Sequence, residues 1–380
     1  MRFIASRMLP RNRAYAPEIL DRYGLKGDNQ QDVIDLTRGV SFNDSYSIVA
    51  EGDSARFADC NLFESKFDLS MQILALTGSS PIGKGRPSSP SELVPSGTFP
   101  KTLRSIDGRL HLYKAGSALQ ASNTNKEPYS EAFANSAADM LGIDHAEYWL
   151  EEWNGTLCSV CPIFNTEEIS FVPFYLAMPE QKLKHMGLLQ ALRFFESIGS
   201  DAAELFKNML VFDAAIYNPD RHTGNYGVLV ENATGTIIGM APLFDHNYSF
   251  WTLEFPERED RSKLTRKAQR ASGAFASMNL VEQAAAFGKD PAQHAILERM
   301  AEFEMPDIPF IGEYREAHPD RGDVFNEERI AALQEVVRQN ARELMAAIDN
   351  PNRANRNESL RKLRETALEL EKESEERSAR

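Results

Sequence analysis

The sequence contains little cysteine. Cys60, Cys158 and Cys161 are its only thiols in 380 residues, and so low and odd a count is typical of a reducing compartment, so we expect a cytoplasmic protein. Residues 1–14 include basic side chains but lack the apolar run of a signal peptide. No stretch of about 18 apolar residues occurs, which predicts that the chain does not span a membrane.

An excess of positive charge is also missing, because the net charge is −14. Duplex binding is driven largely by Lys and Arg that neutralise phosphates, so we expect no direct binding of nucleic acid. The net charge does not exclude a local basic groove, or a partner that binds DNA in place of this chain. The 42% of hydrophobic and 26% of charged residues are those of a globular protein, with one large domain or two lobes.

Residues 1–90 show few clear elements. Residues 17–23 predict a short helix and residues 41–49 a short strand. Residues 79–96 are rich in Ser, Pro and Gly, a composition typical of a flexible connection. We therefore place a first boundary there and expect residues 1–90 to pack on the domain that follows.

The next stretch, residues 91–177, is rich in predicted strands. Asp107 with Gly108, and Asn154 with Gly155, are favoured two-residue hairpin turns. The strands around these turns, and the helix between the two hairpins, are predicted at residues 102–105, 110–114, 128–141, 145–152 and 157–164. Their order predicts a small sheet that carries one helix.

From residue 178 onward the periodicity is mainly helical. Helices are predicted at residues 181–198, 202–216, 280–287, 291–303 and 327–348, and short strands at residues 226–230 and 236–240. We expect residues 178–350 to form a helical domain and residues 351–380 a charged helix. The sequence thus predicts an α+β fold with two lobes, a small β-rich N-lobe and a larger helical C-lobe.

One loop concentrates polar side chains between rigid elements. Asn218 and Pro219 break an apolar helix, and Gly224 permits a tight backbone before the next strand. Asp220 and Asn225 then lie in a loop, where catalytic side chains are common. Each could be a simple turn former, but their spacing matches the Asp-x-x-x-x-Asn catalytic loop of protein kinases.

A second carboxylate, Asp245, follows an apolar segment that ends in Phe244. The predicted hairpin between the loop and this segment would bring Asp245 close to Asn225. A carboxylate and an amide oxygen are hard ligands that suit Mg²⁺, and phosphoryl transfer needs a further carboxylate to orient the attacking hydroxyl and accept its proton. We therefore predict Asp220 as the base or as the residue that orients the hydroxyl, and Asn225 and Asp245 as catalytic residues that bind the metal.

Phosphate binding also needs a cation. Lys114 ends an apolar strand and Glu131 lies on the helix that follows, and such a pair holds the ATP phosphates in kinases. Glu127 is an alternative partner for Lys114, and Lys101 is an alternative cation. The sequence alone leaves both alternatives open.

Together these motifs resemble one family. Asn-Pro-Asp-Arg-His-x-x-Asn-x-Gly, followed by Pro-Leu-Phe-Asp, is similar to the HipA-like kinases, which are bacterial serine/threonine protein kinases and often toxins of toxin–antitoxin pairs. The segment Ser-Gly-Thr-Phe-Pro-Lys resembles their nucleotide loop. His222 follows the aspartate, as it does in that family. In other protein kinases the histidine comes first, in the order His-Arg-Asp. The resemblance covers about residues 90–250 well.

The resemblance implies a protein-kinase-like fold, ATP and Mg²⁺ as cofactors, and a protein substrate with a Ser or Thr hydroxyl. The base falls on Asp220 and the metal ligands on Asn225 and Asp245. The residues expected around the nucleotide are Lys114, Glu131, Ser96, Gly97, Lys101 and His222, the last mainly as support for the loop. A helix-turn-helix antitoxin is a candidate partner, and Ser91 and Ser96 are candidates for self-phosphorylation.

Other interpretations remain beside this one. Cys158 and Cys161 lie three residues apart in a predicted strand, so their side chains point to opposite faces of the sheet. We therefore predict two core cysteines and no zinc or redox site. The basic run at residues 258–270 predicts a solvated loop that could also dock a substrate. A small-molecule or lipid kinase on the same fold, or a catalytically silent nucleotide-binding module, are the alternative functions.

Overall fold

The computed structural model describes residues 2–25, 29–64, 66–80, 87–117, 125–183, 186–275, 277–319 and 325–349. The charged helix predicted for residues 351–380 lies outside these ranges, as do residues 81–86 of the predicted flexible connection. Among the described residues, no helix is both long and apolar enough to cross a lipid bilayer.

Four helices build the N-terminal part, namely α1 (Arg2–Ala5), α2 (Ala16–Arg22), α3 (Gln30–Thr37) and α4 (Leu69–Thr77). Helix α2 is the predicted short helix, whereas α3 and α4 are additional to the prediction. Each of these two begins at a capping side chain, Asn29 or Asp68, which accepts a hydrogen bond from a first-turn N–H. Helices α2 and α4 share a small apolar core with Leu9 and Leu93.

The strand predicted at residues 41–49 is wrong. Only an isolated bridge between Ser41 and Asp44 is present there. The Ser41 hydroxyl accepts from the Asn43 N–H, and the Asp44 carboxylate accepts from the Tyr46 N–H. Such local side-chain bonds compete with a strand ladder and fold the segment into turns.

The prediction of a flexible connection is also wrong for residues 91–93. Ser91–Leu93 form a 3₁₀ turn whose residues are all buried. The Glu92 carboxylate accepts from the Thr102 hydroxyl at 2.7 Å, and the buried Arg13 guanidinium donates to the backbone oxygens of Glu92 and Lys101. The Ser- and Pro-rich composition carries no information about these distant partners, which pack the segment.

The first sheet is antiparallel with strand order β1-β2-β4-β3. Its strands are β1 (Lys101–Ile106), β2 (Arg109–Ala115), β3 (Trp149–Trp153) and β4 (Thr156–Pro162), and α5 (Glu127–Leu141) packs on β3 and β4. All four residues of the two predicted turns have positive φ, as the favoured hairpin turns require. The register pairs Lys101 with Lys114, so both lysines lie on the same face.

The two cysteines of β4 are free, and both are buried, as the sequence predicts. Cys158 pairs with Ala115 in the sheet register, and Cys161 pairs with Leu112. The Cys158 thiol belongs to an apolar cluster with Tyr113 and Val160, whereas Cys161 lies on the opposite face of the strand and lines the cavity described below.

The second sheet has the order β5-β6-β7 and is also antiparallel. It contains β5 (Ile169–Pro173), β6 (Gly227–Glu231) and β7 (Thr236–Met240), and the first of these strands is additional to the prediction. The single helix predicted at residues 181–198 is wrong, since three helices stand nearby, α6 (Phe174–Ala177), α7 (Glu180–Leu183) and α8 (Leu188–Glu196). The backbone of Gly187 is extended, which interrupts the predicted helix, and α8 begins at the next residue.

The helical part contains α9 (Ser200–Ala215), α10 (Arg261–Arg270), α11 (Leu280–Phe287), α12 (Pro291–Ala301), α13 (Pro309–Ala317) and α14 (Glu327–Asp349). The solvated loop predicted at residues 258–270 is wrong, because α10 begins at the Asp260 cap and buries Leu264, Thr265 and Ala268. The largest apolar core surrounds α9 and also includes α5, α11, α12 and α14. The described residues thus form a mixed α and β protein with small antiparallel sheets and many helices.

Candidate active site

Lys114 lies between two carboxylates. Its ammonium is 2.7 Å from a Glu131 oxygen and in direct contact with Asp245. The alternative partner, Glu127, instead accepts from the Ser117 N–H at 3.1 Å. The structure therefore brings together the strand lysine, the helix glutamate and the distant aspartate.

Glu131 also fixes the backbone beside Asp245. Its second oxygen accepts from the His246 N–H at 2.8 Å. On the same helix, the Ser130 hydroxyl donates to the backbone oxygen of His246 at 2.6 Å. Asp245 itself has φ of 61°, a left-handed conformation that is strained for a residue other than glycine. The bonds from α5 hold this strained backbone in place.

The loop between α9 and β6 holds Asp220 and Asn225. The Asn225 amide nitrogen donates to the Asp220 backbone oxygen at 3.2 Å, and the Asn225 N–H donates to the His222 oxygen at 2.9 Å. The exposed His222 ring accepts from the Gly224 N–H at 3.0 Å. These contacts close the loop on itself, so His222 supports its shape.

A buried ion pair, which the sequence analysis does not identify, joins this loop to Asp245. The Arg221 guanidinium makes two bonds to Asp213 of α9, at 2.8 and 3.0 Å. Its remaining nitrogen donates to the Asn225 oxygen at 2.7 Å and to the Phe244 oxygen at 2.5 Å. One side chain thus ties together the backbones next to the two predicted metal ligands.

A sequence signal for this pair exists. Asp213 is the only charge in residues 209–216, which are otherwise apolar. A carboxylate on such a buried helix needs a cation, because an unpaired charge is costly to bury. Arg221 is the next basic residue along the chain.

The segment before β1 holds the third group of predicted residues. Lys101 donates to the Ser96 backbone oxygen at 2.5 Å, while Ser96 and Gly97 are exposed. Gly97 has φ of 90°, and a Cβ there would lie 2.4 Å from the Lys101 ammonium. The positive φ favours glycine at this position, and a side chain there would displace the Lys101 ammonium. Ser91, in contrast, is only 1% exposed.

Most of these groups line one cavity of about 620 Å³, whereas Asp220 and Glu131 are not among its lining residues. From the sequence-predicted set it contains Ser96, Gly97, Lys101, Lys114, His222, Asn225 and Asp245. Apolar walls come from Leu112, Ile163 and Phe244. From the predicted set, the cavity therefore combines two lysine ammonium groups, the Asp245 carboxylate and the Asn225 amide with a large apolar surface.

The charges shift one another's proton affinities. Burial alone would raise the pKa of Asp245, but the Lys114 ammonium holds that pKa below its ordinary value. Burial, with the charge of Asp245, raises the pKa of Asp220. Burial, with the charge of Lys114, lowers the pKa of Lys101 to about 7. Perturbed groups of this kind cluster at functional sites.

The chain is similar to solved structures and to one family model. None of the curated protein sequences matches the chain. A Shewanella oneidensis HipA, solved in a complex of HipA, HipB and operator DNA, is similar in fold with a TM-score of 0.50 and 12% identity, over 91% of this chain and 86% of that chain. A Helicobacter pylori proinflammatory kinase, CtkA, is similar with a TM-score of 0.46 and 18% identity, over 64% of this chain and 95% of that chain.

The sequence of residues 93–305 matches the HipA-like C-terminal domain. The matched segment spans β1 to α12 and contains Lys114, Glu131, Asp220, Asn225 and Asp245. It is more than half of the chain, so the chain belongs to the HipA-like family.

Proposed function

We propose that this protein is an ATP- and Mg²⁺-dependent serine/threonine protein kinase, which transfers the γ-phosphate of ATP to a hydroxyl group of a protein. One observation carries the proposal, namely the contact of Lys114 with both Glu131 and Asp245 at the edge of the cavity. A strand lysine, a helix glutamate and a metal-binding aspartate are the parts that hold ATP phosphates in protein kinases. Membership of the HipA-like family supports the same activity.

The residues present fit a magnesium nucleotide. Mg²⁺ is usually held by one or two protein oxygens, together with phosphate oxygens and water. The Asp245 carboxylate lines the cavity, and Asn225 engages its amide nitrogen with Asp220, which leaves its amide oxygen for a metal. Bound there, the ion would supply positive charge to the phosphates. Lys101 and Lys114 would bind phosphate oxygens with charged donors.

Asp220 is the proposed base. Its raised pKa makes the carboxylate a better proton acceptor than an ordinary aspartate. The hydroxyl of the acceptor protein would donate a hydrogen bond to this carboxylate, which orients the oxygen and takes its proton. The closed loop around Asn225 and His222 holds Asp220 for this role.

We infer that the two parts of the chain act as the two lobes of a protein kinase, with the boundary near residue 177. The first sheet with α5 would be the N-lobe, and the helical part the C-lobe. The cavity supports this view, because Lys101 and Lys114 of the first sheet face it together with the loop that follows α9. Of the two serines considered for self-phosphorylation, only Ser96 is exposed, so it alone stays a candidate.

We also propose a small helix-turn-helix protein as a partner. The Shewanella HipA was solved with HipB and operator DNA, and an arrangement of that kind would let a partner carry the DNA contacts. The net charge of −14 supports such a division, since duplex DNA binding depends on an excess of Lys and Arg that the chain does not have. A cytoplasmic location stays a prediction.

The direct test is transfer of label from γ-labelled ATP, with Mg²⁺, to the protein itself and to a generic protein acceptor. We expect label on protein with the wild type and none with Asp245→Asn. Asp53→Asn is a matched control, because Asp53 forms a surface pair with Arg38 away from the cavity. ADP release that depends on a metabolite would contradict the protein acceptor and indicate a small-molecule or lipid kinase. Nucleotide binding without turnover would indicate a silent module.

A further inference from the structure

The N-terminal segment forms a wall of the same cavity. Phe3, Ser6, Arg7 and Met8 line it together with Asp245, Lys114 and Lys101. These residues precede the family-matched region by a long stretch of chain. Nothing in the proposed kinase chemistry uses this wall, which raises the question of what it binds.

The wall is anchored to the rest of the fold at several points. Arg2 donates to the backbone oxygens of Tyr175 and Met178, the latter at 2.6 Å. The turn that carries Asp44 is held by a hydrogen bond from the Phe171 N–H to the Asn43 oxygen, at 2.7 Å. Arg7 and Asp44 form an ion pair at 2.5 Å between these two segments. These contacts hold the N-terminal segment in a fixed position at the cavity.

Two of the three guanidinium nitrogens of Arg7 have no hydrogen-bond partner among the described residues. Its Nη2 bonds to Asp44, but its Nε and Nη1 are buried and have no hydrogen-bond partner among the described residues. Arg7 is 7% exposed, and its guanidinium lies 4.2 Å from the centre of the Phe3 ring. An arginine stays charged at all relevant pH values. Burying its donors unpaired is costly, and an acceptor in the cavity would remove that cost.

We propose that the N-terminal segment is part of the nucleotide site, and that Arg7 donates hydrogen bonds to an oxygen of the nucleotide. The inference rests on the proposed function and adds a residue that lies outside the family-matched region. A nucleotide suits the cavity, because its base would bury apolar surface against Leu112 and Phe244 while its sugar and phosphates offer acceptors. Asp44 holds one edge of the guanidinium, and the other edge is unpaired but buried, so the wall would shift slightly to let a nucleotide oxygen reach it.

The test measures binding of ADP with Mg²⁺, and of adenosine, to the full chain and to Arg7→Met. Methionine keeps much of the apolar stem and removes the donors. We expect ADP affinity to fall about tenfold, as for the loss of one charge-assisted hydrogen bond or more. Arg38→Met is the matched control, since Arg38 belongs to a surface pair with Asp53 and does not line the cavity. It should bind as the wild type does.

The two ligands separate the two possible oxygens. An equal loss for adenosine and ADP would assign Arg7 to the sugar, and a loss for ADP alone would assign it to the phosphates. Unchanged affinity for both in Arg7→Met would overturn the inference while leaving the proposed kinase intact. No ADP binding by the wild type would instead refute the nucleotide site itself, and this inference with it.

A second measurement covers the case in which Arg7→Met does not fold. Amide hydrogen exchange of residues 2–10 in the wild type should slow when ADP and Mg²⁺ are added, because the ligand would hold the wall in place. Residues 291–301 of α12, which do not line the cavity, serve as an internal reference. Exchange in residues 2–10 that ADP does not change, at a concentration that saturates the protein, would overturn the inference.

Discussion

The two sides of the cavity differ in how far their donors are already satisfied. On the side of Asn225 and Asp245, every nitrogen of the buried Arg221 guanidinium has a partner. On the N-terminal side, Arg7 has two nitrogens without partners among the described residues, and Ser96 lies exposed. In the proposed mechanism, the first side would hold the reacting groups in a fixed geometry, whereas a ligand would complete the contacts of the second. The proposed chemistry and the proposed ligand binding would then be built from different segments.

The largest expected effect comes from the fixed side. Asp220→Asn keeps the size of the side chain but removes the proton acceptor, so we expect kcat to fall by roughly 10²–10⁴-fold. Affinity for ADP should not change, because Asp220 faces the acceptor hydroxyl in the proposed mechanism. Phosphate transfer and ADP binding measured on the same sample check both statements. Full turnover by this variant would remove Asp220 from the mechanism.

The next largest effect is expected from breaking the buried ion pair between Arg221 and Asp213. Arg221→Met leaves Asp213 buried without its cation, and we expect a loss of about 3–5 kcal/mol in the free energy of unfolding. Denaturant unfolding measures this loss.

A double variant separates stability from positioning. Asp213→Leu with Arg221→Met removes both charges and should recover much of the stability, since an apolar pair can replace a buried ion pair. Phosphate transfer should stay low, because the backbone oxygens of Asn225 and Phe244 have lost their shared donor. Recovery of both stability and transfer would show that Arg221 only stabilises the fold.

The ligand-completed side should respond to pH through Lys101, whose pKa is lowered to about 7 from an ordinary value of 10.5. Phosphate oxygens favour the charged ammonium, so binding of ADP should take up protons at pH 8. Affinity should therefore be greatest below pH 7 and fall as the pH rises above it. Without a ligand, the lowered pKa costs folding stability below pH 7, and this cost disappears as the pH rises toward 10.5.

Calorimetry in two buffers with different ionisation enthalpies counts the protons taken up. Lys101→Arg stays charged throughout this range, so its ADP affinity should be nearly independent of pH between 7 and 9. The same proton uptake in wild type and variant would assign the titration to another group.

The smallest expected effect is that of Gly97→Ala. The positive φ costs about 1 kcal/mol of stability for alanine, and the new methyl group would displace the Lys101 ammonium. Gly235→Ala is a matched control, because Gly235 has φ of 71° but no neighbouring atom within 4 Å of an added Cβ. Both variants should lose similar stability, and only Gly97→Ala should lose ADP affinity. Equal affinities would contradict the placing of Gly97 beside the phosphates.

What the sequence predicts well is local or carried by a short motif. The turns at Asp107 and Asn154 need positive φ, which their Asp-Gly and Asn-Gly pairs supply, and the structure confirms both hairpins. The Asp-x-x-x-x-Asn spacing places Asp220 and Asn225 in one loop. A lysine cannot be buried on a core strand without a carboxylate, which predicts an acidic partner for Lys114, and the structure selects Glu131 over Glu127.

What the sequence does not predict depends on distant partners. The composition of residues 79–96 indicates flexibility, but Glu92 is packed against Arg13 and Thr102. The basic run around α10 indicates a solvated loop, although Leu264 and Ala268 recur at helical spacing and are buried. The roles of Arg221 and Arg7 depend on backbone oxygens and a cavity that only the folded chain brings together.

The most direct test of the nucleotide site is a crystal structure with a non-hydrolysable ATP analogue and Mn²⁺ in place of Mg²⁺. The account predicts an anomalous peak bound to the Asn225 amide oxygen and the Asp245 carboxylate, with Lys114 on a phosphate oxygen and Arg7 against the nucleotide. A nucleotide bound away from this cavity, or a metal that contacts neither Asn225 nor Asp245, would contradict it.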